Sequence, residues 1–297
     1  MDLNAASLAT LNVAITTAFN TSLTGYNSFH QQLAMRVSST GSGNTYPKLD
    51  DIPKMREWIG SRVVNRLDTN AFTLLNRKFE NTLAVPVDAI EDDEYGIYGN
   101  IAASFGQTSA ELPDDLLIEQ IEKGFTTTHF DGQNFFDTDH PVDDENGTEV
   151  SVSNLIAGAN AAWYIMDLSN PIKPFIFQDR TPGMITPKTN MSDDNVAYED
   201  EFHWLAKRRC AVGFGAYQMA FASKAALTVA NFETASAAMN SMIGPMGRKI
   251  RRGRLTLVVG TSNHAAAKKI LKAEQLEGGG SNTNFDDMDL LHINTLS

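Results

Sequence analysis

Cysteine is all but missing: Cys210 is the only one in 297 residues. A single thiol cannot close an internal disulfide or build a cysteine-based zinc cluster, and such usage suits a reducing compartment. A surplus of basic charge is missing too. Lys and Arg number 24 against 36 Asp and Glu, giving a formal net charge of -12. Coating nucleic acid requires positive charge that displaces phosphate counterions, so that general role is excluded, although one local basic patch is not. No apolar run approaches the roughly 20 residues that span a bilayer. The first residues, MDLNAASLATLNVAITTAF, have neither the basic start nor the unbroken apolar core of a secretory signal. These absences predict a soluble, intracellularly made protein with no membrane partner.

What is present suffices for a core. Hydrophobic residues make up 42% of the chain and aromatic residues 9%, enough for one large domain or two ordinary ones. Residues 2–35 carry apolar side chains at loose helical spacing: Leu8, Leu11, Ile15, Phe19, Phe29 and Leu33. The following VSSTGSGNTYPKLDD (37–51) reads as a flexible connection. A weakly amphipathic helix on such a tether buries little alone. It is expected to pack on something else, such as another copy of the chain.

Residues 55–86 predict a long hairpin, REWIGSRVV and FTLLNRKFENTLAVP around a polar DTNA turn. It carries Arg56, Arg62, Arg66, Arg77 and Lys78. A lone hairpin is marginal in water, so projection onto a neighbouring subunit is the expected arrangement. Residues 88–125 predict helix, with Glu91, Asp92, Asp93 and Glu94 at its start, where the helix dipole favours acid. Pro113 is expected to break or restart that helix, and Gly124 to stop it. Further on, 202–223 predicts one or two long strands and 231–243 a helix capped by Asn231. Residues 254–260 predict a buried strand, 262–275 a helix and LLHIN a last strand. This order indicates an α+β architecture with a mixed sheet.

The stretch FDGQNFFDTDHPVDDEN (130–146) gathers the polar chemistry. His129, Asp131, Asp139 and His140 are ligand types for zinc or a hard cation, which makes a metal-dependent hydrolase the alternative function. DTDHPVDDENG lacks the ligand order of an EF-hand, and HExxH is absent. A turn accounts for the stretch better. DG and DENG supply tight turns, Pro141 holds His140 extended, and Phe135 and Phe136 anchor the loop. GFGAYQ (213–218) lacks the third glycine of a dinucleotide fingerprint, and GGG (278–280) lacks the Lys and Ser/Thr of a phosphate loop. Cys210 beside Arg209 reads as a small buried residue rather than an activated thiol. No catalytic residue, metal or cofactor is expected.

GRKIRRGRL (247–255) places Arg248, Lys249, Arg251 and Arg252 in one run. Three readings stay open for it: a contact to nucleic acid or an acidic partner, a solvated turn, or intersubunit pairing with the EDDE segment.

Several long blocks carry a resemblance: MREWIGSRV (55–63), NRKFENTLAVPVDAIEDDEYGIY (76–98), FDGQNFFDTDHPV (130–142), IKPFIFQDR (172–180), VGFGAYQMAFASKAALTVANFETA (212–235) and LTLVVGTSNHAAAKKIL (255–271). Together they resemble the Mu-like prophage major head subunit family, the major capsid proteins of tailed phages, over essentially the whole chain. Tyr217 stands where that family usually has Trp. The resemblance implies the Hong Kong phage-type major capsid protein fold. Its parts would be an N-terminal arm (1–52), an extended loop (53–86), a peripheral domain (87–150 and 195–228, with spine helix 88–125) and an axial domain (151–194 and 229–297). It implies a structural virion protein rather than an enzyme, synthesised in the host bacterial cytoplasm. Hexamers and pentamers would close an icosahedral head around double-stranded DNA held only weakly, with portal and scaffold or decoration proteins as further partners. A different virion structural protein is the other alternative. Expected intersubunit contacts are Arg56, Arg62, Arg66, Arg77 and Lys78 with Glu91, Asp92, Asp93 and Glu94, and Arg248, Lys249, Arg251 and Arg252. On this reading arm and hairpin gain their energy from sister molecules rather than from their own chain.

Overall fold

The computed structural model describes residues 5–47, 72–92, 97–275 and 279–296. The first arm of the expected hairpin, with Arg56, Arg62 and Arg66, lies outside the described residues, as do Asp93 and Glu94.

The described chain opens with helix α1 (Ala5–Gly25), a short α2 (His30–Leu33) and strands β1 (Ala34–Ser38) and β2 (Gly43–Tyr46). It continues with β3 (Phe72–Leu75), β4 (Arg77–Pro86), α3 (Val87–Glu91) and the long α4 (Tyr98–Lys123). The arm departs from expectation. Helix α1 lies on α4 of its own chain and buries Leu8, Ile15 and Phe19 there, with the Phe19 ring 5.4 Å from that of Phe105. Contact this close requires Gly106, because a Cβ at that position would collide with the Phe19 carbonyl oxygen. Fully burying one such side chain contributes about 1.5–3 kcal/mol, so the helix has reason to fold home.

The tether is also more ordered than its composition suggests. Strand β2 pairs antiparallel with β3. The Asn76 amide donates to Ser39 Oγ at 2.8 Å, Ser39 Oγ donates to Asn44 at 2.9 Å, and the Tyr46 hydroxyl donates to Gln178 at 2.8 Å. Small polar residues that look flexible in sequence here satisfy one another.

Pro113 does not break α4, which runs through it. Proline removes the hydrogen bond to the carbonyl four residues back, and that carbonyl, of Ser109, accepts from Arg208 Nη1 at 3.4 Å. Glu91 and Asp92 do not open the long helix. Glu91 ends the short α3, and the first turn of α4 contains no acidic residue.

After α4 come the hairpin β5 (His140–Asp143) and β6 (Glu149–Val152), then β7 (Leu155–Ile156), β8 (Trp163–Asp167) and β9 (Phe175–Lys188). They lead to α5 (Asp194–Glu199), β10 (Glu201–Phe214), β11 (Ala220–Ser223) and α6 (Val229–Ser241). The chain finishes with β12 (Ile243–Gly244), β13 (Arg248–Lys249), β14 (Leu255–Val259), α7 (Thr261–Lys272) and β15 (Asp289–His292). The cap of α6 is Thr228, not Asn231: Thr228 Oγ1 accepts the Asn231 N–H at 3.3 Å.

Two larger sheets organise these elements. One has the order β1-β9-β10-β4, the other β15-β14-β8-β11-β7, and each mixes parallel with antiparallel pairs. Strand β4, expected as the second arm of a hairpin, pairs along its length with β10. Strand β9 shares a sheet with β10, while β11 lies beside β8 in the other. The side chains of β8 alternate between two cores. Trp163 and Ile165 join α6 and α7, whereas Tyr164 and Met166 join the end of α4 and the loop that follows it.

Candidate functional site

The loop after α4 is built from its aromatic residues outward. Phe135 and Phe136 are buried, Phe135 stacks on Phe214 at 4.5 Å, and the Phe136 N–H donates to the Gly124 carbonyl at 2.8 Å. Gly132 and Gly147 take positive φ, at 88° and 76°, as tight turns require. Inside the loop His140 is buried, with Nδ1 2.6 Å from Asp131 Oδ2 and Nε2 3.2 Å from Asn154 Oδ1. Burial alone would push the Asp131 carboxyl up, but hydrogen bonding and charge from His140, with the Gln133 N–H, hold it below the ordinary value.

The four proposed metal ligands are not assembled as a set. Asp131 and His140 pair with each other, whereas the His129 ring packs among Phe130, Phe135, Phe214 and Tyr217. Asp139 is exposed and hydrogen-bonded to Asp137, which pushes its carboxyl up. Among the described residues the one group of three ligating side chains is elsewhere, at Glu199, Glu201 and His203.

Sequence reasoning missed a second buried polar cluster, Ser28, His30 and Asp114. Its composition matches a nucleophilic triad, but its geometry does not. Such a relay needs the two ring nitrogens of His placed between Ser and the carboxylate. Here His30 Nδ1 faces both Ser28 Oγ and Asp114 Oδ1, and Asp114 also accepts the backbone N–H groups of Phe29 and His30. The cluster ties the turn before α2 to α4. Asp114 lies 84 residues from His30 in sequence, so no local pattern could reveal it. Cys210 is buried too, and burial pushes its thiol up to about 11 although Arg208 opposes the shift.

The charged residues expected at subunit contacts divide into two groups. Some bond within the chain. Arg77 lies over the Phe79 ring at 5.1 Å and reaches Glu119 at 3.4 Å. Arg252 is buried, donating to the Met239 and Gln218 carbonyls at 2.8 and 2.9 Å and standing 3.7 Å from Asp167. Burial pushes its guanidinium down to about 10 although Asp167 opposes the shift. Arg252 acts as an internal clamp within the chain. Others face outward: Lys78, Glu91, Asp92, Lys249 and Arg251 are exposed, and Arg248 is half-buried in β13. Lys78 lies directly opposite Arg209 across β4 and β10.

A family model described as the Mu-like prophage major head subunit gpT matches residues 8–296. The chain belongs to that family. This head subunit is 34% identical over 258 residues to the major capsid protein of Escherichia phage Mu, covering 85% of each. It is similar to the chain in the procapsid of bacteriophage JBD30, with a TM-score of 0.87 and 35% identity over 98% of this chain and 99% of that one. A JBD30 capsid decorated with minor capsid protein trimers matches at a TM-score of 0.75 and 27% identity, over 92% of each chain. The fold is that of Hong Kong phage-type major capsid proteins, as the sequence blocks implied. The head subunit is a major capsid protein of a tailed-phage shell and a structural protein rather than an enzyme. The hydrolase alternative has no support. Among the described residues no helix is long and apolar enough to cross a membrane.

Proposed function

We propose that this subunit assembles into hexamers and pentamers of an icosahedral head enclosing double-stranded DNA, and that basic and acidic strips on neighbouring copies set the contacts. The observation that carries the contact assignment is the Lys78–Arg209 step. Like charges directly opposite each other on a sheet destabilise it, and neither side chain has an ion-pair partner among the described residues. A neighbour's acidic residues would relieve that repulsion, and Glu91 and Asp92 are exposed. Exposed pairs contribute about 0–1 kcal/mol each, which repetition over a shell multiplies while assembly stays reversible. Residues 48–71 add Arg56, Arg62 and Arg66 to the basic side of such contacts. Strand β4 belongs to the subunit's own sheet, so 77–86 is not assigned the reach to a neighbour.

The two sheets divide the subunit. The β1-β9-β10-β4 sheet with α4 forms the peripheral part, and the β15-β14-β8-β11-β7 sheet with α6 and α7 the axial part. Decoration proteins are partners by analogy with the JBD30 capsid, and portal and scaffold proteins by analogy with phage heads generally. The net charge of -12 favours a shell that holds its DNA weakly.

The test is a charge swap. Lys78→Glu with Arg209→Glu should leave a folded subunit but no shells by size-exclusion chromatography and negative-stain microscopy. Adding Glu91→Lys and Asp92→Lys should restore them. Shells of ordinary yield from the first pair alone would overturn the contact assignment.

A further inference from the structure

The ligating side chains of Glu199, Glu201 and His203 converge where α5 ends and β10 begins. Glu201 and His203 stand two residues apart on β10, so strand alternation puts them on one face. Glu199 closes α5, and Asp200, in the left-handed region at φ 55°, makes the turn that brings its carboxylate beside theirs. The backbone around them is tied down. Strand β10 is paired on both sides here, with His203 opposite Ala84 of β4 and Lys188 of β9. The Asn195 side chain donates to the Lys188 and Glu201 carbonyls at 2.9 and 2.6 Å, and the Val87 N–H donates to the Asp200 carbonyl at 3.0 Å.

His203 Nε2 lies 3.1 Å from Glu201 Oε2 and 3.9 Å from Glu199 Oε2, and the three donor atoms are all within 4.8 Å of one another. A hydrogen on Nε2 can serve Glu201 but leaves Glu199 beyond hydrogen-bond reach. Among the described residues neither carboxylate has a Lys or Arg partner. Lys188, opposite His203 on the sheet, reaches Asp193 instead, at 3.9 Å. A cation between the three donors satisfies all of them at once. Zinc bonds imidazole nitrogen at about 2.0–2.1 Å and carboxylate oxygen at about 2.0–2.2 Å, which in a tetrahedron sets neighbouring donors about 3.4 Å apart. The two separations from His203 bracket that value, and the exposed Glu199 side chain is free to swing in.

We propose that Glu199, Glu201 and His203 bind one zinc-class divalent cation, with water in the fourth position, and that the ion pins the end of α5 to β10. The imidazole sets the class. Nitrogen ligands suit zinc, nickel and copper, whereas calcium and magnesium take oxygen ligands in larger number. The role is structural: the ion ties a helix end to a strand already paired on both sides, and it stabilises the folded subunit because the unfolded chain does not hold the three donors together.

The test uses the full chain without an affinity tag, stripped of metal by dialysis against a chelator. Cobalt(II) is titrated first and followed by its visible absorption, and zinc is then titrated by calorimetry. One equivalent of each per subunit is expected, with zinc displacing cobalt and millimolar magnesium displacing neither. Zinc should also slow amide exchange across residues 194–203, and binding without that slowing would overturn the pinning role. His203→Ala should abolish the equivalent. Glu199→Gln should weaken it by more than the roughly tenfold that loss of an outer-shell partner costs. His264→Ala is the control, because His264 and His292 stack at 3.8 Å on α7 and β15 and offer two other imidazoles; it should change nothing. The site is overturned if the unsubstituted subunit takes up no zinc, if the equivalent survives His203→Ala, if His264→Ala removes it, or if magnesium displaces it. Should His203→Ala fail to fold, the titrations of the unsubstituted chain and of Glu199→Gln, a change on an exposed helix end, decide the same question.

Discussion

Strand β8 buries all five of its side chains, Trp163–Asp167, whereas β9 buries only Phe175–Asp179 and leaves Pro182, Met184 and Thr186 to Lys188 in solvent. The difference follows from what covers each sheet. The five-stranded sheet has α6 and α7 on one face and the end of α4 with its aromatic loop on the other. Among the described residues, the distal four-stranded sheet has helices on one face, where α1 and α4 cover Ala206 and Trp204. Burial saturates in the first case and alternates in the second. The first sheet is covered on both faces; the second leaves the outer part of one strand exposed.

The comparison breaks most readily at its buried end. Trp163→Ala should cost about 3–5 kcal/mol in denaturant unfolding, as large aromatic truncations in closed cores do. A loss below about 1 kcal/mol would mean that this sheet is not saturated.

Acid comes next and acts on both regions, through Asp131 beside the five-stranded sheet and Asp114 beneath the arm. Burial pushes both carboxyls up, but hydrogen bonds from His140 to the first, and from His30 and Ser28 to the second, hold the folded values below ordinary. Their contribution is present above the unfolded value of about 3.9 and is lost as pH falls through the lowered folded values. The thermal midpoint should hold from neutral pH to about pH 4 and fall beneath it. Asp114→Asn and Asp131→Asn should each lower the neutral midpoint and flatten the acid decline.

The arm gives the intermediate case. Gly106→Ala should destabilise the subunit by about 1–3 kcal/mol, the range for overpacking, because α1 must move off α4. An unchanged unfolding curve would mean that the arm leaves its own chain in solution.

The smallest effect belongs to the open sheet face. Met184 is 50% exposed, and Met184→Ser should change subunit stability by no more than about 0.5 kcal/mol. Any marked effect should appear in shell yield instead.

Residue patterns alone determined the element types wherever burial is two-sided or a helix is long. The buried strand 255–259, the helix at 261–272 and the long strand from 201 were legible because their hydrophobic spacing and turn residues are local properties. So was the structural character of the loop with Phe135 and Phe136, from DG, DENG and HP. The tertiary structure alone decided what those elements touch. Pro113 reads as a break because sequence cannot show that Arg208 waits for the freed carbonyl. Residues 37–47 read as tether because Ser39, Asn44 and Asn76 find one another only after folding. The arm reads as a grip on a sister molecule because Gly106, the residue that lets it come home, lies some 80 residues beyond it. Periodicity is written in neighbours along the chain; partnership depends on distances that only the closed fold creates.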